Sequence, residues 1–183
     1  MMRIIACAVL WFCAGCVGEL SERQILFGPA PRKSLASSPE LVRDENRPGQ
    51  PVVSAYFSGT LVTDADMKGL ADYKQLRTLD LRNTSVTDAG LKDLAVLAEL
   101  RELYLIDAKI TDAGLKQVAK LKQLQKLYLV GARVTDAGLK NLVSLEQLKE
   151  LNLSDTGVTD AGQRKLHESL PACQIVDRAG WPR

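Results

Sequence analysis

From residue 76 onward the leucines fall into an L-x-x-L-x-L pattern that returns every 24 residues: Leu76, Leu79 and Leu81, then Leu100, Leu103 and Leu105, then Leu124, Leu127 and Leu129, then Leu148, Leu151 and Leu153. Behind each of the first three triplets come apolar positions at wider spacing. These are Val86, Leu91, Leu94 and Leu97, then Ile110, Leu115, Val118 and Leu121, then Val134, Leu139, Leu142 and Leu145. All seven positions are aliphatic in these three consecutive units. Alternation around Leu79 and Leu81 predicts a short parallel strand, because successive side chains of a strand face opposite ways. The later positions predict a short helix whose apolar face points back at that strand.

Between strand and helix the same six letters, TDAGLK, stand at residues 87–92, 111–116 and 135–140. An active site needs its acid, base or nucleophile once, so a phrase recurring at fixed spacing reads as a building element. Its residues fit a corner. The threonine stands where a helix N-cap accepts a hydrogen bond from a free amide. The aspartate places negative charge near the positive end of the helix. The glycine lets neighbouring coils approach closely.

The same register reaches both ways with looser chemistry. Val52, Ala55, Phe57, Val62, Met67, Leu70 and Tyr73 hold the seven places in an upstream unit that carries TDAD instead of TDAG. Downstream, Val158 follows Leu148, Leu151 and Leu153, but Gln163 replaces the leucine after Gly162. This gives five units, 52–75, 76–99, 100–123, 124–147 and 148–171, closed by a segment 172–183 that contains Ile175 and Val176. End units of a repeat array are ordinarily atypical.

The L-x-x-L-x-L signature with this period resembles a leucine-rich-repeat protein. The V-T-D-A-G-L continuation is similar to a bacterial repeat class common in planctomycetes and to the repeats of F-box-associated solenoids. The resemblance implies an α/β leucine-rich-repeat solenoid, with parallel strands on the concave face and short helices on the convex face. It covers about two-thirds of the chain, residues 52–171. One departure stands out: the asparagine usual at the ninth repeat position is Thr60, Thr84, Ala108, Ala132 and Thr156 here. The turn must satisfy its backbone groups without a side-chain amide ladder.

The first 51 residues read differently. Arg3 precedes an apolar run from Ile4 to Ala14, too short to span a bilayer and of the length of a signal-peptide core. Its ending, Cys13-Ala14-Gly15-Cys16, resembles a bacterial lipoprotein signal, in which the last cysteine becomes the lipid-bearing first residue. Residues 1–15 are thus expected to be a signal peptide and Cys16 the lipidation site and membrane anchor. An ordinary secretory signal, releasing a soluble exported protein, is the alternative. Residues 16–51, with Pro29, Pro31, Pro39, Pro48 and Pro51, read as a flexible tether. Of the four cysteines, Cys7 and Cys13 leave with the signal and Cys16 carries lipid, so Cys173 remains alone and is expected to pack as a small apolar side chain.

Candidate chemistry is sparse. A net charge of +2 with interspersed signs gives no footprint for nucleic acid. The only histidine, His167, has no nucleophile that the periodicity brings beside it. Asp64, Asp88, Asp112, Asp136 and Asp160 align as a possible calcium ladder, but the corner-and-cap reading accounts for them without a metal, which needs six to eight converging oxygens. Lys68, Lys92, Lys116, Lys140 and Arg164 line one outer edge, as a solvated face or as a surface for an acidic partner. No cofactor, metal, nucleic acid or small-molecule substrate is expected, and the chain does not read as an enzyme.

The repeats differ from one another mainly at the outward strand positions. Tyr56, Asp80, Tyr104, Tyr128 and Asn152 form one row. Ser54, Thr78, Glu102, Lys126 and Glu150 form a second, and Ser58, Arg82, Ile106, Val130 and Ser154 lie just beyond the strands. Aromatic anchors with apolar neighbours and a charged rim match the composition of protein interfaces. The candidate partner-binding residues are therefore Tyr56, Asp80, Arg82, Glu102, Tyr104, Ile106, Lys126, Tyr128, Val130, Glu150 and Asn152. The plain alternative is that tyrosine favours exposed strand positions. The expected function is a non-enzymatic protein-binding module, lipid-anchored at a bacterial cell envelope and facing the periplasm or exterior. An F-box-like substrate receptor and a structural spacer are the alternatives.

The register itself is testable. Leu127→Ala, at an inward strand position of the central unit, should cost about 2–5 kcal/mol. Chemical denaturation would read this as a lower midpoint, and an unmoved midpoint would refute the register.

Overall fold

The computed structural model describes residues 39–177. The signal-like segment, Cys16, the Ile25-Leu26-Phe27 cluster and the last six residues lie outside that range.

The strands are β1 (Glu40–Arg43), β2 (Val52–Tyr56), β3 (Thr78–Asp80), β4 (Glu102–Tyr104), β5 (Lys126–Tyr128), β6 (Glu150–Asn152) and β7 (Gln174–Val176). Between them lie helices α1 (Asp64–Leu70), α2 (Asp112–Val118), α3 (Asp136–Leu142) and α4 (Asp160–Ser169), with a 3₁₀ helix at Gly90–Val96. The strands form one sheet in chain order. From β2 to β7 they are parallel and pair residues 24 apart, so that Ala55, Leu79, Leu103, Leu127, Leu151 and Ile175 form one continuous row. The sequence period is the pairing register. All seven aliphatic positions are buried in each of the three central units. A single coil has no second layer to cover its apolar side, so these side chains are buried by neighbouring coils.

Three differences from the sequence reading have local causes. Residues 40–43, assigned to the tether, form an antiparallel edge strand on β2, pairing Leu41 with Ala55 and burying the Leu41 side chain. That strand covers an edge that would otherwise present unpaired amides and carbonyls. The closing segment adds β7 to the other edge and buries Cys173 and Ile175. In the second unit the helix is 3₁₀ rather than α, yet Leu91 and Leu94 remain buried on its inner side. A helix of seven residues gains little from α cooperativity, and the tighter form is common in pieces this short.

The repeated phrase proves to be a joint between coils. Thr111 accepts a hydrogen bond from the Ala113 amide (3.2 Å), as an N-cap does. Its own N–H and hydroxyl donate to the two carboxylate oxygens of Asp88, one coil earlier, at 2.9 and 2.5 Å. Thr87 bonds Asp64 in the same way (2.7 and 2.6 Å), Thr135 bonds Asp112 (2.8 and 2.7 Å), and Thr159 bonds Asp136 (2.8 and 2.7 Å). Asp64, Asp112 and Asp136 sit in the first turn of their own helices, where the sequence placed them. In the second unit the 3₁₀ helix begins only at Gly90 with Ala89 as its cap, so Thr87 and Asp88 lie just ahead of it. The carboxylate oxygens of Asp64, Asp88, Asp112 and Asp136 are engaged by the next coil's threonine. Hydrogen bonds to the ionised form lower a carboxyl pKa. Asp136 is held below the usual range by the backbone and side-chain bonds from Thr159. At Asp64, burial pushes upward but the bonds from Thr87 and the Gly90 backbone outweigh it, and the net shift is downward.

This joint also explains TDAG and TDAD. A Cβ on Gly90 would lie 2.6 Å from Asp64 Oδ1, and at Gly114, Gly138 and Gly162 it would likewise strike the carboxylate of the preceding coil's aspartate. In the first unit no helical coil precedes Thr63 among the described residues. There Asp66 stands in the glycine's place, and its own carboxylate takes the Thr63 N–H and hydroxyl, both at 2.9 Å.

The missing asparagines are replaced by backbone. Thr60, Thr84 and Thr156 donate their hydroxyls to the carbonyls of Phe57, Leu81 and Leu153 at 2.7–2.8 Å. Ala108 and Ala132 close the same turn through their amides alone, onto Leu105 and Leu129. One residue earlier, the amides of Gly59, Asn83, Asp107 and Gly131 donate to the carbonyls of Arg82, Ile106, Val130 and Ser154 in the next coil. Those four residues and Asp155 all have φ between 54° and 72°. Only Gly, Asn and Asp occupy the position, the residue types that tolerate a left-handed backbone.

Gly114→Ala discriminates the joint from simple helix propensity. Alanine in an ordinary helix position would stabilise by up to about 1 kcal/mol over glycine. Here the added methyl meets Asp88 and Ile110, so a loss of about 1–3 kcal/mol is expected. The sign of the shift in the urea midpoint decides between them.

Candidate functional site

In-register parallel pairing sets equivalent outward residues side by side at about 4.8 Å. One row of the concave face runs Tyr56, Asp80, Tyr104, Tyr128, Asn152 and Val176, and the adjacent row runs Ser54, Thr78, Glu102, Lys126, Glu150 and Gln174. The Tyr104 and Tyr128 rings stack with centroids 4.7 Å apart and planes 11° from parallel. That spacing is the strand repeat itself, within the range for favourable stacked aromatics.

The adjacent row anchors the hydroxyl ends of the two rings. The Tyr104 hydroxyl donates to Glu102 Oε2 at 3.1 Å, and the Tyr128 hydroxyl donates to Glu150 Oε1 at 2.5 Å. Lys126 Nζ reaches Glu102 Oε1 at 3.1 Å, and the hydrogen bond to Glu102 together with its negative charge raises the lysine pKa. Burial, together with the Glu102 charge and hydrogen bond, pushes the Tyr104 phenol up to about 12. Burial and the hydrogen bond to Glu150 push Tyr128 upward as well.

Asp80 departs from the expectation of an exposed contact residue. It is buried, 2% accessible, beneath Arg82. The Arg82 backbone amide and Nε both donate to Asp80 Oδ1 at 3.0 Å, and Nη2 reaches Oδ2 at 2.6 Å. A buried carboxylate requires such a partner. Held there, the guanidinium carbon lies 5.7 Å from the Tyr104 ring centroid, a cation–π distance. Tyr56 is exposed, whereas Ile106 and Val130 are half-buried and offer a smaller apolar flank than their composition suggested. The Asn152 side chain is turned onto its own strand end, where its oxygen accepts the Ser154 amide at 3.0 Å.

The structure thus joins Arg82, Tyr104, Tyr128, Glu102, Lys126 and Glu150 into one connected cluster. Tyr56 and Asn152 lie at its ends, and Ile106 and Val130 at its side. The sequence rows omitted Gln174 and Val176; continuing the 24-residue step from Glu150 and Asn152 would have found both.

Elsewhere the chemistry is quiet. His167 lines a surface groove with Asp160, Gln163, Arg164, Glu168 and Ile175, a lining that holds no serine or cysteine. The Cys173 thiol is buried, and burial together with the Glu150 charge pushes it up to about 11, which disfavours a reactive thiolate. Lys68, Lys92, Lys116, Lys140 and Arg164 are all exposed on the helical side. No helix among the described residues is long and apolar enough to cross a membrane.

Comparison with known proteins agrees with this architecture. A family model described as a leucine-rich repeat matches residues 75–95 and 147–166. Among solved structures, internalin C2 of Listeria monocytogenes is 29% identical with a TM-score of 0.57, over 70% of this chain and 52% of that one. Internalin F of the same organism is 22% identical with a TM-score of 0.59, over 69% of this chain and 34% of that one. A leucine-rich-repeat protein of Leptospira interrogans is 21% identical with a TM-score of 0.50, over 68% and 36%. The chain therefore spans between about a third and a half of the length of these proteins. No curated protein matches by sequence. The fold is that of an α/β leucine-rich-repeat solenoid.

The tyrosine environment predicts a pH response. A phenol whose folded pKa is raised contributes stability that is complete below its unfolded value, near 10, and is lost as pH rises through the folded value. At about pH 11, phenolate absorbance should therefore show fewer ionised tyrosines in the folded chain than in urea. Glu102→Gln with Glu150→Gln should narrow that gap, and equal ionisation in both states would refute the packed environment.

Proposed function

We propose that this leucine-rich-repeat solenoid is a non-enzymatic protein-binding module that works through the concave face of its sheet. The observation that carries the reading is the Tyr104–Tyr128 stack, fixed from one end by Arg82 and at its hydroxyls by Glu102 and Glu150. Interfaces concentrate their energy in aromatic and arginine side chains within a polar rim. Side chains already held in place lose less freedom on binding than mobile ones. Leucine-rich-repeat proteins use extended concave surfaces of this kind to bind other proteins.

The sequence supports a location for the module. Residues 1–15 have the form of a lipoprotein signal, Cys16 stands where the lipid-bearing residue belongs, and the proline-containing stretch up to residue 39 serves as the tether. We place the solenoid at the cell envelope, anchored through Cys16. The face is short, roughly 25 Å along the stack at strand spacing, so weak or multivalent engagement is expected.

Cross-linking and affinity capture from native cell envelopes test both parts. The full chain should recover a protein partner, and Tyr104→Ala/Tyr128→Ala, confirmed folded by circular dichroism, should lose it. Cys16→Ser should shift the chain from the membrane to the soluble fraction. Identical capture by the tyrosine variant would remove the concave face from the interface, and membrane retention of the Cys16 variant would remove the lipid anchor.

A further inference from the structure

The aromatic stack is closed at one end and open at the other. At the closed end, the Arg82 guanidinium lies over the outer face of Tyr104, held by the Asp80 carboxylate. At the far end, no ring or guanidinium among the described residues covers the opposite face of Tyr128. The next residue in the row is Asn152, a short side chain turned down onto the Ser154 amide. One strand step, about 4.8 Å, is also about the distance at which a flat cation stacks on a ring. The position above Asn152 is therefore the next place in the same stack.

Charge at this end matches. Glu150 accepts the Tyr128 hydroxyl, but among the described residues it forms no ion pair. The nearby Lys126 is bonded to Glu102. The open end thus offers an aromatic face beside a carboxylate that no cation among the described residues bonds. The closed end shows within the same molecule what such a pair of groups takes up: a guanidinium, bonded to a carboxylate and laid on tyrosine. Arginine suits this better than lysine, because its planar fork stacks and donates at once.

We propose that the face of Tyr128 above Asn152, together with Glu150, receives an arginine side chain from a protein partner. The inference rests on the protein-binding reading above and names the chemistry that the concave face recognises. Asn152 floors the slot, and Val176 on the last strand bounds its far side.

A library of random heptapeptides displayed on phage, selected on the immobilised full chain, supplies the probe. Clones are kept if Tyr104→Ala/Tyr128→Ala abolishes their binding, which restricts them to the concave face. The expected result is enrichment of arginine among them. For a synthetic peptide from the selection, replacing that arginine by citrulline, which keeps the shape and removes the charge, should weaken binding by about tenfold or more. Glu150→Gln, which retains an oxygen to accept the Tyr128 hydroxyl, should weaken the arginine peptide to a similar degree and leave the citrulline peptide unaffected. Concave-face binders without arginine, or binders indifferent to both replacements, would overturn this assignment and leave the protein-binding reading standing. No clone sensitive to the tyrosines would overturn both. Binding that appears only in an Arg178→Gln/Arg183→Gln variant would make the chain's own terminal arginines the occupant and overturn the partner assignment.

Discussion

The joint between the aspartate of one coil and the threonine of the next is the contact on which this solenoid depends. A coil of 24 residues has no core of its own; its leucines are buried only when the coils on either side stand at a fixed distance and in register. Hydrophobic burial is non-directional and does not choose that register. The carboxylate does. It takes two hydrogen bonds from one threonine, the amide and the hydroxyl, and the same hydroxyl caps the helix that follows. A slip of one residue between the coils would break both bonds to the carboxylate and bring a residue with a Cβ against it in place of the glycine.

This spacing carries through to the opposite side of the molecule. Because the strands pair with equal positions adjacent, any side chain repeated in two neighbouring coils is placed next to its copy. Two tyrosines in consecutive units become a stack without further design, and an aspartate with an arginine one unit earlier becomes its cap. The face is variable in content but fixed in geometry. A binding surface can therefore differ from coil to coil while the leucine framework beneath it stays the same.

The ends require separate solutions, and the chain uses a different one at each. At the start, Asp66 provides within its own coil the carboxylate that an earlier helical coil would have supplied, and β1 covers the sheet edge by antiparallel pairing. At the end, α4 runs to ten residues where the preceding three helical segments each have seven, and β7 extends the sheet by one strand, burying Cys173 and Ile175. Neither solution repeats the internal pattern, because among the described residues an end coil has a neighbouring coil on one side only.

The sequence by itself determined the repeat length, the strand register, the buried leucines and the roles of Thr111, Thr135 and Thr159 as helix caps, because each of these is a period or a local hydrogen bond. It also placed Tyr104 and Tyr128 in one row, since parallel pairing at equal phase follows from the period. Contacts between side chains 23 residues apart, or across two rows, were left to the tertiary structure. Nothing local distinguishes an aspartate that serves its own helix from one that also binds the next coil's threonine. Nothing in the row marks Asp80 as buried beneath Arg82 rather than exposed beside Tyr104. The strand at Glu40–Arg43 was hidden for the same reason: four residues carry too short a pattern to signal a strand, and it exists because β2 presents an open edge for it to pair with.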